Sequence, residues 1–374
     1  MSGRAFGLYI HWPFCQAKCP YCDFNSHVAA EVEQEKWLQA YVQEIQRVSH
    51  DLPDGILSSI FFGGGTPSLM APSIVDAVIS AARSKWRSVN DVEITLEANP
   101  TSVESGSFAG FAGAGVNRVS IGVQALRDDD LRRLGRMHSS TEAIKAIELA
   151  HAYFDRVSFD LIYARQDQSL NGWEEELRKA LELATDHLSL YQLTIEPGTV
   201  FSKRAAAGYL GGLPDEDLAA DMYELTQELT SSAGLQSYEV SNYATPGFES
   251  RHNLIYWRGG DWLGIGPGAH GRFTKNGKRV ATECYLDPKS WLEAVVKGDG
   301  ESRRATLDGR ADIEERLMMG LRLSDGIPLH DFSVFLSKFS DLSEIKMLEV
   351  DDNKVRATRQ GRLVLNSIIR EVLA

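Results

Sequence analysis

Six strand-sized apolar runs recur along the first half of the chain, and each is followed by a segment with helical periodicity. The runs are β-branched and apolar on both faces, as strands buried inside a parallel sheet are. This alternation predicts an α/β fold in which helices cover a parallel sheet. The predicted strands are FGLYIHW (6–12), LSSIFFGGG (57–65), DVEITLEA (91–98), RVSIGVQ (118–124), RVSFDLIYA (156–164) and HLSLYQLTI (187–195).

Polar side chains or glycines stand at the carboxyl-terminal ends of the predicted strands. They include the glycine turn 63–65, Glu97, Gln124 and Asp160. A doubly wound open sheet concentrates its site at one switch point, whereas barrel enzymes build their site from the ends of many strands. The spread over many strand ends therefore favours a partial (β/α)6 barrel.

The pattern changes near residue 245. After a barrel over residues 1–245, residues 246–305 are rich in Gly, Trp and Tyr, and we expect a connecting segment there. Over 306–374, a helix, short helices, a hairpin and a final helix predict a small winged-helix-like domain. Acidic and basic residues nearly balance in this last part, so no basic stripe is available for DNA phosphates.

The whole chain is acidic, with 52 Asp and Glu residues against 39 Lys and Arg residues. An acidic surface repels phosphate backbones and anionic lipid headgroups. No run approaches the roughly 20 apolar residues that cross a bilayer, and no secretory signal is visible. We therefore expect a cytoplasmic protein without a transmembrane segment that does not bind nucleic acid.

Three of the four cysteines form the pattern C-x3-C-x2-C, as Cys15, Cys19 and Cys22. Thiols clustered in this way in a cytosolic chain are typical of metal ligands. Three thiolates hold zinc if a histidine such as His11 or His27 completes the set. They also hold a 4Fe-4S cluster in which one iron stays open for another ligand, and the spacing favours this second interpretation.

The segment YIHWPFCQAKCPYC (9–22) and the glycine motif GGGTPS (63–68) resemble the cluster loop and glycine motif of the radical S-adenosylmethionine (SAM) superfamily. This resemblance implies a partial six-stranded barrel and a 4Fe-4S cluster on Cys15, Cys19 and Cys22. The open iron of that cluster is expected to chelate the amino and carboxylate groups of SAM. The resemblance further implies SAM contacts by Tyr9, Tyr21, Gly64, Gly65, Thr66, Glu97, Gln124, Arg136 and Asp160.

Within the superfamily, the chain resembles the group that includes the oxygen-independent coproporphyrinogen III dehydrogenases. Those enzymes carry a further cysteine two residues after the third, where this sequence has Phe24, and a longer segment before the cluster loop. In both respects the chain is similar to the other branch of the group, the HemW family of heme chaperones. The segment HNLIYW (252–257) matches that family's H-N-x-x-Y-W heme motif. It implies heme binding by His252, Tyr256 and Trp257, with His252 as a ligand of the heme iron.

The resemblance implies a heme chaperone that passes heme to acceptor proteins, among them respiratory enzymes met at the membrane surface. Two alternatives stay open. One is an oxygen-independent coproporphyrinogen III dehydrogenase, and the other is a zinc-stabilised adaptor that binds proteins.

One departure from the family pattern concerns the expected adenosine side of the SAM pocket, where the family's Y-G-L-P-G-Q is replaced by YARQDQ (163–168).

Overall fold

The computed structural model describes residues 3–184 and 186–374, except for the side chains of Ser102 and Val103. The strands are β1 (Ala5–Trp12), β2 (Phe14–Cys15), β3 (His27–Val28), β4 (Ile56–Gly64), β5 (Arg87–Ala98), β6 (Arg118–Gln124), β7 (Arg156–Tyr163), β8 (His187–Gln192), β9 (Gln236–Ser237), β10 (Asn242–Ala244), β11 (Asp261–Ile265), β12 (His270–Lys275), β13 (Lys278–Cys284), β14 (Glu301–Thr306), β15 (Ile327–Pro328), β16 (Leu348–Val350) and β17 (Lys354–Ala357).

The helices cover the sheet and build the C-terminal part of the chain. They are α1 (Gln34–Val48), α2 (Pro72–Lys85), α3 (Ser102–Ser105), α4 (Phe108–Gly113), α5 (Asp128–Arg133), α6 (Ser140–Tyr153), α7 (Leu170–Leu183), α8 (Val200–Ala206), α9 (Glu216–Ser232), α10 (Arg251–Trp257), α11 (Pro288–Val296), α12 (Gly309–Gly320), α13 (Leu336–Glu344), α14 (Arg359–Leu363) and α15 (Leu365–Leu373). Two 3-10 helices, Pro67–Leu69 and Leu329–Phe335, complete the set within the described ranges.

The six predicted strands are present as β1, β4, β5, β6, β7 and β8, and each pairs in parallel with the next. They form the centre of a twelve-stranded sheet in the order β14-β13-β12-β11-β1-β4-β5-β6-β7-β8-β10-β9. In the part of the chain that is described, the two edge strands do not pair with each other, so the barrel stays open. The predicted fold class is confirmed.

The sheet extends beyond the six predicted strands because later segments join both of its edges. Strand β11 pairs in parallel with β1, and β12 to β14 continue as antiparallel neighbours. The β12–β13 hairpin turns at Asn276 and Gly277, whose φ angles of 53° and 74° suit a tight two-residue turn. Strands therefore occupy part of the expected connecting segment, and the domain limits at 245 and 305 stay a prediction.

Alternate residues of β1 and β4 face the interior of the curved sheet, as the two-residue period of a strand requires. Their parallel register places Gly7 beside Ser59, Tyr9 beside Phe61, and His11 beside Gly63. These three rows rise from the amino-terminal to the carboxyl-terminal ends of the strands. The residues between them, such as Leu8 and Ile60, are fully buried in the main apolar core.

The C-terminal part has its own apolar core, which includes Leu317, Phe339 and Val355. Helices α12, α13 and α15 pack around it together with a three-stranded sheet in the order β15-β17-β16. The hairpin predicted within residues 306–374 is present as β16 and β17. None of the helices in the described ranges combines the length and the apolar character that crossing a membrane requires.

Candidate functional site

A cavity of about 350 Å³ opens at the carboxyl-terminal ends of the parallel strands. The cysteine loop, the glycine turn after β4 and the ends of β5 to β8 form its walls. Most of the residues predicted to hold the cluster and SAM come together here. They are Cys15, Cys19, Tyr21, Cys22, Gly64, Gly65, Thr66, Glu97, Gln124, Arg136 and Asp160.

The three cysteines of the loop are free and half-buried. The Thr66 hydroxyl donates to Cys15 Sγ at 3.4 Å, and Arg136 Nη1 donates to Cys19 Sγ at 3.4 Å. Such donors stabilise thiolate ligands. Among the residues that the structure describes, no three His, Cys, Asp or Glu side chains converge on a single metal ion. A 4Fe-4S cluster binds each of its cysteines through a different iron, and three free, half-buried thiols on one loop are a donor set that fits such a cluster.

The glycine turn leaves bare backbone on the cavity wall. Gly64 has a φ of 109°, and a Cβ there would lie 2.5 Å from the His11 ring. A Cβ on Gly65 would lie 2.6 Å from the carbonyl oxygen of Phe14. A side chain at either position is therefore excluded by close contacts. The Gly64 N–H donates to Glu97 Oε2 at 3.2 Å and fixes the turn against β5.

Arg136 is held by several partners around the cavity. Its Nη2 donates to the Gly122 carbonyl at 2.7 Å and to the side-chain oxygen of Asn99. Asn99 in turn donates to the Thr66 hydroxyl at 3.1 Å. Asn99 is a cavity residue that was not predicted, although it lies two residues after Glu97, just past the end of β5. The same strand-end rule that selected Glu97 would have found it.

Two carboxyl groups, Glu97 and Asp160, lie deep in the cavity. Burial raises the pKa of Glu97 to about 8, with a further contribution from the nearby charge of Asp160. Burial also raises the pKa of Asp160 to about 6, although hydrogen bonds from Ser189 and Ser120 oppose the increase. A positively charged ligand group would lower both raised pKa values, because it stabilises the charged carboxylates against the burial that disfavours them. The cavity therefore suits the ammonium or sulfonium group of SAM.

The two predicted tyrosines differ in position. Tyr21 lines the cavity and packs against Phe201, with ring centroids 6.3 Å apart. Tyr9 is not among the residues that line the cavity, and it lies below the glycine turn, where its hydroxyl bonds to His11 Nδ1 at 3.0 Å. A direct contact between Tyr9 and SAM stays a prediction.

The residues predicted to bind heme do not line this cavity. His252 lies on α10 and is fully buried, and its Nδ1 and Nε2 atoms bond to Ser59 Oγ at 2.8 Å and to Tyr256 Oη at 2.6 Å. Burial lowers the pKa of His252 to about 3, so its imidazole is neutral. The half-buried Trp257 has an indole N–H without a hydrogen-bond partner among the described residues. Heme ligation by His252 stays a prediction, and it requires one ring nitrogen to be released.

A three-cysteine loop, a bare glycine turn and buried carboxyl groups thus meet at the open end of the α/β barrel. Residues 9–180 match the model of the Radical SAM superfamily, and residues 307–364 match that of the HemN C-terminal domain. The chain is 37% identical to heme chaperone HemW of Escherichia coli, over 98% of each protein. It is 39% identical to the mitochondrial radical S-adenosyl methionine domain-containing protein 1 of Bos taurus, over all of this chain and 88% of that protein.

The chain therefore belongs to the radical SAM superfamily and, within it, to the HemW family. Membership of the superfamily implies a 4Fe-4S cluster and SAM. The fold also matches the structure of the coproporphyrinogen III oxidase HemN from Escherichia coli, with a TM-score of 0.83. That alignment covers 100% of this chain and 91% of HemN at 22% identity, so it bears on the fold alone.

Proposed function

We propose that this protein is a heme chaperone, which binds heme and passes it to acceptor proteins. The observation that carries the proposal is the similarity over nearly the whole chain to heme chaperone HemW of Escherichia coli. The cluster loop supports the same conclusion, because Phe24 stands where the dehydrogenases have a further cysteine. Its side chain is 57% exposed and contributes an apolar ring to the cavity wall.

The cavity is the proposed site of the cluster and SAM. Cys15, Cys19 and Cys22 would hold a 4Fe-4S cluster, whose open iron would bind SAM and supply electrons to it. The bare backbone of the glycine turn receives the methionyl end, and Glu97 and Asp160 attract its positive charge. The proposed SAM contacts are Tyr9, Tyr21, Gly64, Gly65, Thr66, Glu97, Gln124, Arg136 and Asp160.

The proposed heme site is built on α10. Tyr256 and Trp257 offer aromatic area for an apolar macrocycle. The indole N–H of Trp257, which has no partner among the described residues, is a donor for a heme propionate. His252 reaches the heme iron only after Tyr256 or Ser59 releases a ring nitrogen. Heme binding is therefore expected to move α10 out of the barrel interior.

The proposed acceptors are heme proteins, including respiratory enzymes at the membrane. The protein would meet them from the cytoplasm as a peripheral partner.

The proposal is tested by heme transfer. Protein with a reconstituted cluster is loaded with heme, freed of excess, and mixed with a heme-free cytochrome b that carries a separable affinity tag. We expect heme to appear on the tagged cytochrome, with its characteristic absorption spectrum. Heme that stays on the loaded protein, or that moves no faster than from heme-loaded serum albumin, would contradict the proposal.

A further inference from the structure

Helix α10 fills the lower part of the barrel interior. The His252 ring occupies the space above Gly7, where a Cβ would lie 2.9 Å from His252 Nδ1. The backbone N–H of His252 donates to Glu93 Oε1 at 3.0 Å, and Glu93 also forms a buried ion pair with Arg156. Because these partners belong to β1, β5 and β7, the position of His252 is fixed by several strands at once.

Aromatic rings continue upward from His252 toward the cavity. The Phe61 ring stacks on His252 with centroids 5.1 Å apart, and Tyr9 stacks on Phe61 at 6.2 Å. Tyr256 packs edge-on against His252 at 4.9 Å. His252 therefore supports the layer of rings that contains Tyr9 and Phe61.

Tyr9 is linked in turn to the cluster loop through His11. His11 Nε2 lies 3.0 Å from the carbonyl oxygen of Asn25. A carbonyl only accepts, so Nε2 carries the proton and Nδ1 accepts from the Tyr9 hydroxyl. Asn25 closes the loop by donating its side-chain amide to the carbonyls of Pro267 and Leu286, both at 2.9 Å.

The same two residues press on the glycine turn. A Cβ on Gly63 would lie 2.9 Å from the Tyr9 ring, and one on Gly64 would lie 2.5 Å from the His11 ring. The rings of Tyr9 and His11 thus form a floor under the backbone proposed to receive SAM. The Tyr9 ring of this floor packs on Phe61, which packs on His252. Direct contacts therefore link α10 to the SAM cavity.

We propose that α10 couples the two ligands of this protein negatively, so that heme bound through His252 weakens the binding of SAM. The proposal rests on the proposed heme function. A histidine that binds iron must give up its bond to Tyr256 or Ser59. When His252 leaves the interior, the rings of Phe61 and Tyr9 lose their support, and the floor of the SAM cavity loosens. By linkage, SAM must weaken heme binding by the same factor.

The test measures SAM affinity by calorimetry on anaerobic protein with an intact cluster, before and after loading with heme. We expect heme to lower SAM affinity by about 5-fold to 150-fold, the usual range of allosteric coupling. His252→Ala should bind SAM weakly with or without heme. Phe61→Leu removes the ring that connects His252 to Tyr9, so heme should lower SAM affinity less in this variant than in wild type. His151→Ala, at an exposed position on α6, is the matched control and should behave as wild type.

The outcomes separate the coupling from the function on which it rests. Failure to bind heme at all would overturn the proposed function and the coupling with it. Heme binding with unchanged SAM affinity would overturn the coupling alone. An equal effect of heme on SAM affinity in wild-type and Phe61→Leu protein would also overturn it, because the coupling would then not pass through the Phe61 ring. The Phe61→Leu result keeps the proposal testable even if His252→Ala fails to fold.

Discussion

Arg165, in the loop that departs from the family pattern, forms a buried ion pair with Glu176 on α7, and losing this pair should destabilise the folded protein. Arg165 and Glu176 are 3% and 2% exposed, and Arg165 Nη2 donates to the Glu176 carboxylate and to Asp130 Oδ2, the latter at 3.1 Å. In Arg165→Met, the Glu176 carboxylate keeps two donors among the described residues, those of Leu126 and Gln168. Breaking a buried pair from one side costs about 3–5 kcal/mol, because an uncompensated charge stays buried. We expect a loss of that size in the free energy of unfolding.

Urea denaturation of cofactor-free protein, followed by circular dichroism, measures this loss. Arg178→Met is the matched control on α7, the helix that carries Glu176. Arg178 forms an ion pair of 2.7 Å with Glu174, and the two side chains are 59% and 37% exposed. An exposed pair contributes about 0–1 kcal/mol. Adding Glu176→Leu to Arg165→Met should restore most of the stability, since the isolated charge is removed. A loss below about 1 kcal/mol, or one equal to that of Arg178→Met, would refute the reasoning.

Three further predictions concern the cluster, the cavity and the C-terminal domain. Cys19→Ala should lose its iron and acid-labile sulfide in anaerobic preparations, and iron retained at the wild-type level would exclude Cys19 as a ligand. Because the folded pKa of Glu97 is raised from 4.5 to about 8, cofactor-free protein should lose stability as the pH rises between these values. The urea midpoint should therefore be lower at pH 8 than at pH 5, and Glu97→Gln should make this difference smaller. An equal pH dependence of the midpoint in both proteins would contradict the raised pKa of Glu97. The C-terminal domain should not bind DNA specifically, and a sequence-dependent gel shift that persists at physiological salt would contradict this.

The six central strands and most of the cavity were predictable because parallel strands carry local signals. Each is a short apolar run, and the residues at its carboxyl-terminal end must face the same mouth of the barrel. Glu97 and Asp160 were found in this way. Strands β11 to β14 were missed, although Asn276–Gly277 between two short runs is a strong hairpin signal.

The position of His252 could not be read from the sequence. The motif HNLIYW predicts a heme site, but its seven-residue helix has little structure of its own to fix where it packs. Its place depends on Ser59 and Glu93, which lie more than 150 residues earlier in the chain. The role of Arg165 was hidden for a similar reason, because its partner Glu176 is on the following helix and nothing local marks either residue as buried.

The central claim is that this radical SAM protein carries heme and does not convert a porphyrinogen. The most direct measurement is a heme titration on protein with a reconstituted cluster, followed by absorbance in the Soret region. The same sample is then incubated anaerobically with coproporphyrinogen III, SAM and a reductant. We predict saturable heme binding and no protoporphyrinogen. Formation of protoporphyrinogen by a sample that binds no heme would contradict the account and identify the protein as a dehydrogenase.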